Sequence, residues 1–334
     1  WGRGLHRFKD GKLSTLTTKD GLSNDNIVQI FRDSRGRIWL STNMGLNLLD
    51  EKNDEITVFT TADGLSNSNI EFVHEDTRGQ TWVGTKFGLN CFKDGRFTPF
   101  RPGIGLGDKH FLCVYEDGER NIWFGTGSGL IRLQGDRIFL YDEQSGLIEN
   151  YVSSILRDEK GYLWLGGPNG VSRVRKKELA AYAAGKIDRL HPDAYNEGDG
   201  MKSRWCNEAG IKTRDGRFWF PTAIGVAVVD PNQVEKSKNH PPLMIDKLIV
   251  DDEAVDLFTG TTKQETIELP PGKRRFEFHY TATSFINPQR IRFKIKLAGY
   301  DRDWLDMGSQ RSTTYTGLPP RSYTFRVTAC NADG

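Results

Sequence analysis

Gly36-Arg37-Ile38-Trp39-Leu40-Ser41-Thr42-Asn43-Met44-Gly45-Leu46 decides the fold, because the chain repeats this stretch four more times. The later versions are GQTWVGTKFGL from Gly79, NIWFGTGSGL from Asn121, GYLWLGGPNGV from Gly161 and GRFWFPTAIGV from Gly216. In each, the tryptophan (Trp39, Trp82, Trp123, Trp164, Trp219) is followed six residues later by a glycine (Gly45, Gly88, Gly129, Gly170, Gly225). The tryptophans are spaced by 43, 41, 41 and 55 residues, a period that belongs to propeller blades or helical arrays. The content of a unit chooses between them. NIVQIFRD, GRIWLSTN, GLNLLD and EITVFT are short β-rich runs bounded by Gly, Asn and Asp, and nothing within a unit has a competing helical period. One unit is therefore a four-stranded meander, and several arranged radially make a β-propeller.

Within a unit, the Asp and Gly of DSRGRIW and DEKGYLW flank a hairpin turn, where Asp bonds its own backbone and Gly accepts positive φ. The glycine six after the tryptophan closes the next hairpin. Each tryptophan is expected to pack against the neighbouring blade, with an indole N–H that needs a partner. A DGL-type segment opens each blade: DGLSNDN from Asp20, DGLSNSN from Asp63, SGLIENY from Ser145, and looser versions from Gly103 and Asp199. Because alternate connections of an antiparallel meander lie at opposite ends, these entry segments share a face with the turns between Trp and Gly.

The long last interval holds an insertion, and Arg175 to Gly185 has the Ala, Leu, Lys and Glu content of a short rim helix. Past Pro231 the repeat stops at KSKNHPP. A second β pattern follows, in which Arg292, Lys294 and Lys296 face outward and Ile291, Phe293, Ile295 and Leu297 inward. Six or seven such strands over about 90 residues fit an immunoglobulin-like or fibronectin-like sandwich. The chain thus reads as all-β, with propeller repeats over 1–235 and a sandwich over 236–334.

Composition narrows the function classes. The chain has 334 residues, a formal net charge of +2 and 37% hydrophobic residues, so it lacks the concentrated basic face of a nucleic-acid binder. The basic runs Arg173 to Lys177 and Lys273 to Arg275 read as solvated turns. No run is long enough to span a bilayer, and no leader precedes Trp1. The chain opens inside a repeat and ends abruptly, so further blades are expected upstream. Four scattered cysteines (Cys91, Cys113, Cys206, Cys330) have no zinc spacing and read as small buried side chains. Six dispersed histidines form no ligand motif, Ser128 lacks a nucleophile elbow, and the DxxG turns lack the oxygen ladder of a calcium loop. Neither metal nor cofactor is implied, and no acid–base pair stands out for catalysis.

The DGL, Asn, Trp and Gly repeats resemble the two-component regulator propeller, and residues from about 242 to 334 resemble the triple-tyrosine (Y_Y_Y) domain that follows it. AGYDRDW from Ala298, TTYTGLPP from Thr313 and SYTFRVTACNADG from Ser322 carry the second match, with Tyr300, Tyr315 and Tyr323 as the name-giving tyrosines. Arg321 where glycine is usual, Gly167 in place of the threonine after Trp164, and Pro221 at a glycine site depart from the pattern. The resemblance implies the periplasmic sensor region of a membrane-bound receptor whose cytoplasmic output is a histidine kinase, hybrid kinase or diguanylate cyclase. It also implies a polar or oligosaccharide ligand, a homodimer through the sandwich and a transmembrane helix beyond Gly334. A sensor region is not itself an enzyme. The rivals are a secreted propeller lyase or hydrolase with an accessory sandwich, and a protein-binding scaffold.

Candidate ligand contacts come from the face carrying the entry segments and the Trp-to-Gly turns, because loops on a rigid scaffold carry function. At the blade entries they are Asn24, Asn26, Asn67, Asn69, Lys109, His110, Asn150, Tyr151, Trp205 and Asn207, and at the turns Asn43, Lys86, Phe87 and Asn169. Amide, hydroxyl and aromatic groups of this kind suit sugar hydroxyls and ring faces. Asn is also a turn former, so each of these amides has a structural alternative. Tyr323, after a Leu-Pro turn, reads as a corner anchor whose hydroxyl bonds upstream backbone.

Overall fold

The computed structural model of the chain describes residues 2–100, 109–206, 209–234, 243–255, 266–282 and 291–330. Two compact units divide it, Trp1–Pro231 and Asn232–Gly334.

The first unit opens with a two-stranded ribbon, β1 (Leu5–Lys9) and β2 (Lys12–Leu16). Four antiparallel four-stranded meanders follow, each with sequential strand order. They are β3 (Ile27–Arg32), β4 (Ile38–Thr42), β5 (Gly45–Asp50) and β6 (Glu55–Phe59); then β7 (Ile70–Glu75), β8 (Thr81–Thr85), β9 (Leu89–Lys93) and β10 (Arg96–Pro99). Next come β11 (Phe111–Glu116), β12 (Ile122–Thr126), β13 (Gly129–Gln134) and β14 (Arg137–Tyr141), and β15 (Ser154–Arg157), β16 (Tyr162–Gly167), β17 (Gly170–Arg175) and β18 (Asp193–Tyr195). The last sheet has three strands, β19 (Ile211–Lys212), β20 (Phe218–Thr222) and β21 (Gly225–Val229). Pro221 lies in β20 and has no N–H to donate, and β19 pairs only with Phe218 and Trp219.

Each tryptophan sits in the second strand of its blade. In the first four blades its indole Nε1 donates to an aspartate six residues earlier: Trp39 to Asp33 at 2.9 Å, Trp82 to Asp76 at 3.0 Å, Trp123 to Asp117 at 2.9 Å and Trp164 to Asp158 at 2.9 Å. The other oxygen of the same carboxylate closes the hairpin, accepting for example the backbone N–H groups of Arg35 and Arg37 at 3.0 and 2.9 Å. One side chain thus shapes the turn and anchors the core. The fifth blade has Thr213 at that position, and the buried Trp219 indole N–H has no acceptor among the described residues.

The core lies between blades. Trp39 joins Val73, Val83 and Phe97 of the following blade, and Trp123 joins Val152, Ile155, Leu163 and Leu165 of its own follower. Trp39, Trp82, Trp123 and Trp164 are all buried. Polar clamps tie the edges of neighbouring blades: Ser34 N and Oγ donate to Glu75 at 2.6 and 2.8 Å, and Thr77 N and Oγ1 donate to Glu116 at 2.8 and 2.6 Å. At the next junction these positions hold Gly118 and Arg157.

The insertion forms α1 (Lys176–Ala183), and it lands on that junction. Lys176 Nζ lies 2.8 Å from Asp117 and 3.2 Å from Glu119 of the preceding blade, while Leu179 is buried and its carbonyl accepts the Tyr141 hydroxyl at 3.2 Å. The basic run Arg173 to Lys177 is therefore not a solvated turn. Arg173 is buried, paired to Asp193 at 2.8 Å and enclosed by the rings of Tyr162, Trp164 and Tyr195, because its strand runs between two others. Lys273 and Arg275 do face solvent, but paired with acids: Lys273 with Glu253 at 3.6 Å, Arg275 with Asp252 and Glu277 at 2.9 Å each. Cys91 and Cys113 are half-buried strand residues and Cys206 is buried; all three are free thiols, and the Cys330 side chain lies outside the described residues.

In the second unit, β22 (Leu243–Val250), β23 (Glu253–Val255), β24 (Arg275–Ala282) and β27 (Ser312–Thr316) form one sheet, and β25 (Arg292–Ala298), β26 (Leu305–Gly308) and β28 (Thr324–Cys330) form the other. Tyr280 packs on Phe293 and Phe325 between them, at 5.1 and 6.1 Å. Phe293, Ile295 and Leu297 point into this core as the alternation requires. The Tyr323 hydroxyl donates to the Pro319 carbonyl at 2.7 Å, the corner expected of it, and Arg321 covers the Tyr323 ring at 5.1 Å.

Two predictions test the aspartate anchor. Asp33→Ala strands the Trp39 indole and two turn N–H groups, and is expected to cost about 2–4 kcal/mol in urea unfolding. Thr213→Asp supplies the acceptor that Trp219 lacks, and is expected to add about 1 kcal/mol. At Asp117 burial works to raise the carboxyl pKa, but Lys176, Trp123 and Asn121 outweigh it and hold the group at about 2. Its folded pKa lies below its ordinary value, so its contribution is complete above about pH 4 and fades as pH falls toward 2. Asp117→Asn should flatten the acid limb of the unfolding curve there.

Candidate functional site

The entry segments and Trp-to-Gly turns do share one face, because backbone bonds lace them together. In the second and third blades the turn bonds its own entry segment and the next: Lys86 N donates to Asn69 O at 3.0 Å and Gly88 N to Lys109 O at 2.9 Å. Gly127 N likewise donates to His110 O at 2.9 Å, and Gly129 N to Asn150 O at 2.5 Å. The turn threonines brace the hairpins, with Thr42, Thr85 and Thr126 Oγ1 each donating to the carbonyl of the closing glycine at 2.8 Å. That glycine is obligatory: at Gly170, φ is 117° and a Cβ would sit 2.1 Å from the Tyr195 carbonyl oxygen.

The candidate residues divide by what they already hold. Asn24 Oδ1 accepts Asn26 N–H, and Asn67 Oδ1 accepts Asn69 N–H, at 2.8 Å each, so Asn24 and Asn67 are turn formers. Asn150 Oδ1 accepts Glu143 N–H at 2.9 Å, and His110 Nε2 meets Glu71 at 2.7 Å. Asn43 is exposed at its hairpin tip. Lys86 Nζ stands 5.8 Å from the centre of the Phe87 ring, which is 48% exposed, and Trp205 is 52% exposed. Asn207 lies outside the described residues, as does the entry segment from Gly103 except Lys109 and His110.

Tyr151 and Asn169 meet at one residue outside the sequence candidates, Glu149, and the chain at His110 and at Trp205 adjoins the same pair of turns. Its two oxygens accept the Asn169 N–H at 3.3 and 3.1 Å. A Cβ on Gly167 would lie 2.1 Å from Glu149 Oε1 and 2.5 Å from the Tyr151 carbonyl oxygen. Gly167 O accepts Cys206 N–H at 3.0 Å, which sets Trp205 beside the same turn, and Gly127 touches His110 and Tyr151. Glu149 occupies the repeat position of Asn24 and Asn67, and Gly167 that of the bracing threonine. Two departures from the repeat meet in space, and the missing threonine side chain is the room the carboxyl fills. Burial, with a smaller push from Glu143, raises Glu149 to about 7 despite the Asn169 donor. Such a carboxyl accepts hydrogen bonds when ionised and donates one when protonated, both near neutral pH. Among the described residues no group of three His, Cys, Asp or Glu side chains is placed to hold a metal ion.

Comparison with known proteins follows the same division of the chain. Residues 21–44, 105–128 and 146–169 match the two component regulator propeller family, and residues 284–334 match the Y_Y_Y domain. The chain carries two component regulator propeller repeats and a Y_Y_Y domain. It is 23% identical over 147 residues to Histidine kinase P4 of Formosa agariphila, covering 42% of this chain and 11% of that protein. Among solved structures it superposes with an extracellular domain assigned to a hybrid two component system of B. thetaiotaomicron, at a TM-score of 0.65 and 17% identity, over 100% of this chain and 51% of that one. PorZ, a bacterial surface component of the type-IX secretion system of Porphyromonas gingivalis, superposes at 0.50 with 12% identity, over 98% of this chain and 49% of that one. The chain thus spans about half of these structures and a small part of the curated relative. Among the described residues no helix is long and apolar enough to cross a membrane.

Glu149 is expected to titrate near pH 7 by carboxyl carbon NMR, and Gly167→Thr to displace it and return the titration toward the ordinary glutamate range. Because the folded pKa is raised, stability declines as pH rises from about 4.5 to about 7. Glu149→Gln should therefore raise the melting temperature more at pH 8 than at pH 4.5.

Proposed function

We propose that this region is the extracytoplasmic, ligand-sensing part of a membrane-bound two-component receptor, and that it binds a polar ligand, an oligosaccharide first among them, on the entry-segment face. The observation that carries the reading is the Glu149 cradle: an adaptable carboxyl bonded by Asn169 and fitted against Gly167 with Tyr151, on the face that also exposes the Trp205 ring. Hydrogen-bonding groups and an exposed aromatic surface on one face suit the hydroxyls and the apolar ring face of a sugar. The repeat and Y_Y_Y families and the histidine kinase relative support a place in signal transduction. In this reading the sandwich dimerises and passes the shift to a transmembrane helix, and kinase or cyclase chemistry belongs to a separate cytoplasmic part.

One observation favours a second reading. A carboxyl raised to about 7 is what a general acid requires, so a secreted lyase or hydrolase predicts turnover where the sensor predicts binding alone. Incubation with an oligosaccharide panel followed by mass spectrometry separates the two, since the sensor returns its ligand intact.

A selective hit in a thermal-shift screen of plant, algal and host oligosaccharides is expected, because a ligand that binds only the folded state raises its melting temperature. Combined Lys86→Ala, Phe87→Ala and Trp205→Ala, read by calorimetry with that hit, should lower affinity at least tenfold, the loss of about 1.4 kcal/mol. Unchanged affinity would move the site off this face.

A further inference from the structure

The opposite face, where β3 turns into β4 and its counterparts do likewise, holds a cavity of about 950 Å³ that spans the first three blades. Arg35, Arg37, Arg78, Lys93 and Arg120 stand in its wall. Arg37 is engaged by Asp33 at 2.6 Å. The other four cations have no ion-pair partner among the described residues. Two of the four acids in the wall are already committed, Glu75 to Ser34 and Asp76 to Trp82 and two turn N–H groups. Those donors are neutral and leave both carboxylates charged, so the wall carries five cations against four acids, and among the described residues four of the cations are held by no acid in an ion pair.

Arg120 adds an independent sign. Its N–H donates to Asp117 O at 2.9 Å, as Gly36 N does to Asp33 O at 2.9 Å and Gly79 N to Asp76 O at 2.8 Å. Those positions require left-handed backbone, and the other blades supply glycine with φ of 80°, 78°, 84° and 86° at Gly36, Gly79, Gly161 and Gly216. Arg120 adopts φ 62° with a full side chain. A residue held in a disfavoured conformation where glycine fits freely is retained for its side chain, and this one ends in the cavity.

We propose that this cleft binds an anionic oligosaccharide, its carboxylate or sulfate groups held by Arg35, Arg78, Lys93 and Arg120. Planar guanidinium forks match both anions. A uniformly basic cleft would suit a bare polyanion, but Asp94 and Asp136 offer acceptors for hydroxyls and the half-buried Phe92 and Phe100 offer ring surface. A chain bearing anions, hydroxyls and apolar ring faces together is an acidic sugar. The assignment is independent of the Glu149 face and stands or falls without it.

The test is calorimetric titration of this chain with a galacturonate tetramer, a sulfated tetrasaccharide, the fully methyl-esterified galacturonate tetramer and poly-glutamate. At least one anionic sugar should bind, more weakly at high salt, and whichever binds assigns carboxylate or sulfate. Arg78→Gln and Arg120→Gly should each weaken it about tenfold, the share of one charge-assisted contact. Arg120→Gly should leave the melting temperature unchanged or raised, which separates binding from folding. The proposal fails if neither anionic sugar binds, if the neutral ester binds as well, if both variants keep full affinity, or if poly-glutamate binds more tightly than either sugar.

Discussion

The bond from each core tryptophan to an aspartate six residues upstream is the constraint on which the propeller depends. A meander needs a tight first hairpin, and packing between blades needs a large ring whose N–H is not left bare in an apolar layer. One carboxylate meets both demands, a backbone turn on one oxygen and an indole on the other. The same arrangement at Asp76, Asp117 and Asp158 fixes where each ring lies relative to its turn, and so how one blade presents itself to the next. Thr213 breaks it, and the fifth tryptophan is left half-buried with a donor that meets no acceptor among the described residues.

Most of the fold was legible because it is periodic. Spacing gave the blades, the alternation from Ile291 to Leu297 gave a sandwich strand, and the shared face of entries and turns followed from antiparallel geometry. What the period could not carry was the use of individual side chains. Asn24 and Asn67 look like ligand amides but spend their oxygens on the N–H two residues on, a local geometry that sequence leaves open. Arg173 sits in a run of charge that reads as surface, yet its strand is central and Asp193, brought back by the insertion, neutralises it. Glu149 was missed because its significance lies in an approach to Gly167, which a list of residue types does not contain. A signal existed: both positions break the repeat, and breaks that fall in adjoining segments are worth pairing.

Departures from the repeat therefore sort into two kinds. Thr213 and Pro221 weaken a structural device and gain nothing visible. Glu149 with Gly167, and Arg120 on the far face, replace a structural residue with a reactive or charged one while the local backbone stays as in the other blades. Where a repeat protein keeps its scaffold and changes its chemistry, the change is where recognition is to be sought.

The clamps between blades carry a consequence for how this protein came to be assembled. Ser34 and Thr77 hold out donors, and Glu75 and Glu116 receive them, so a duplicated blade brings plug and socket together and couples to its neighbours at once. The junction that lacks both halves, at Gly118 and Arg157, is the one onto which the inserted helix lays Lys176. An insertion that reads as ornament on the rim serves as the link at this junction, and it makes the third and fourth blades a pair not interchangeable with the others.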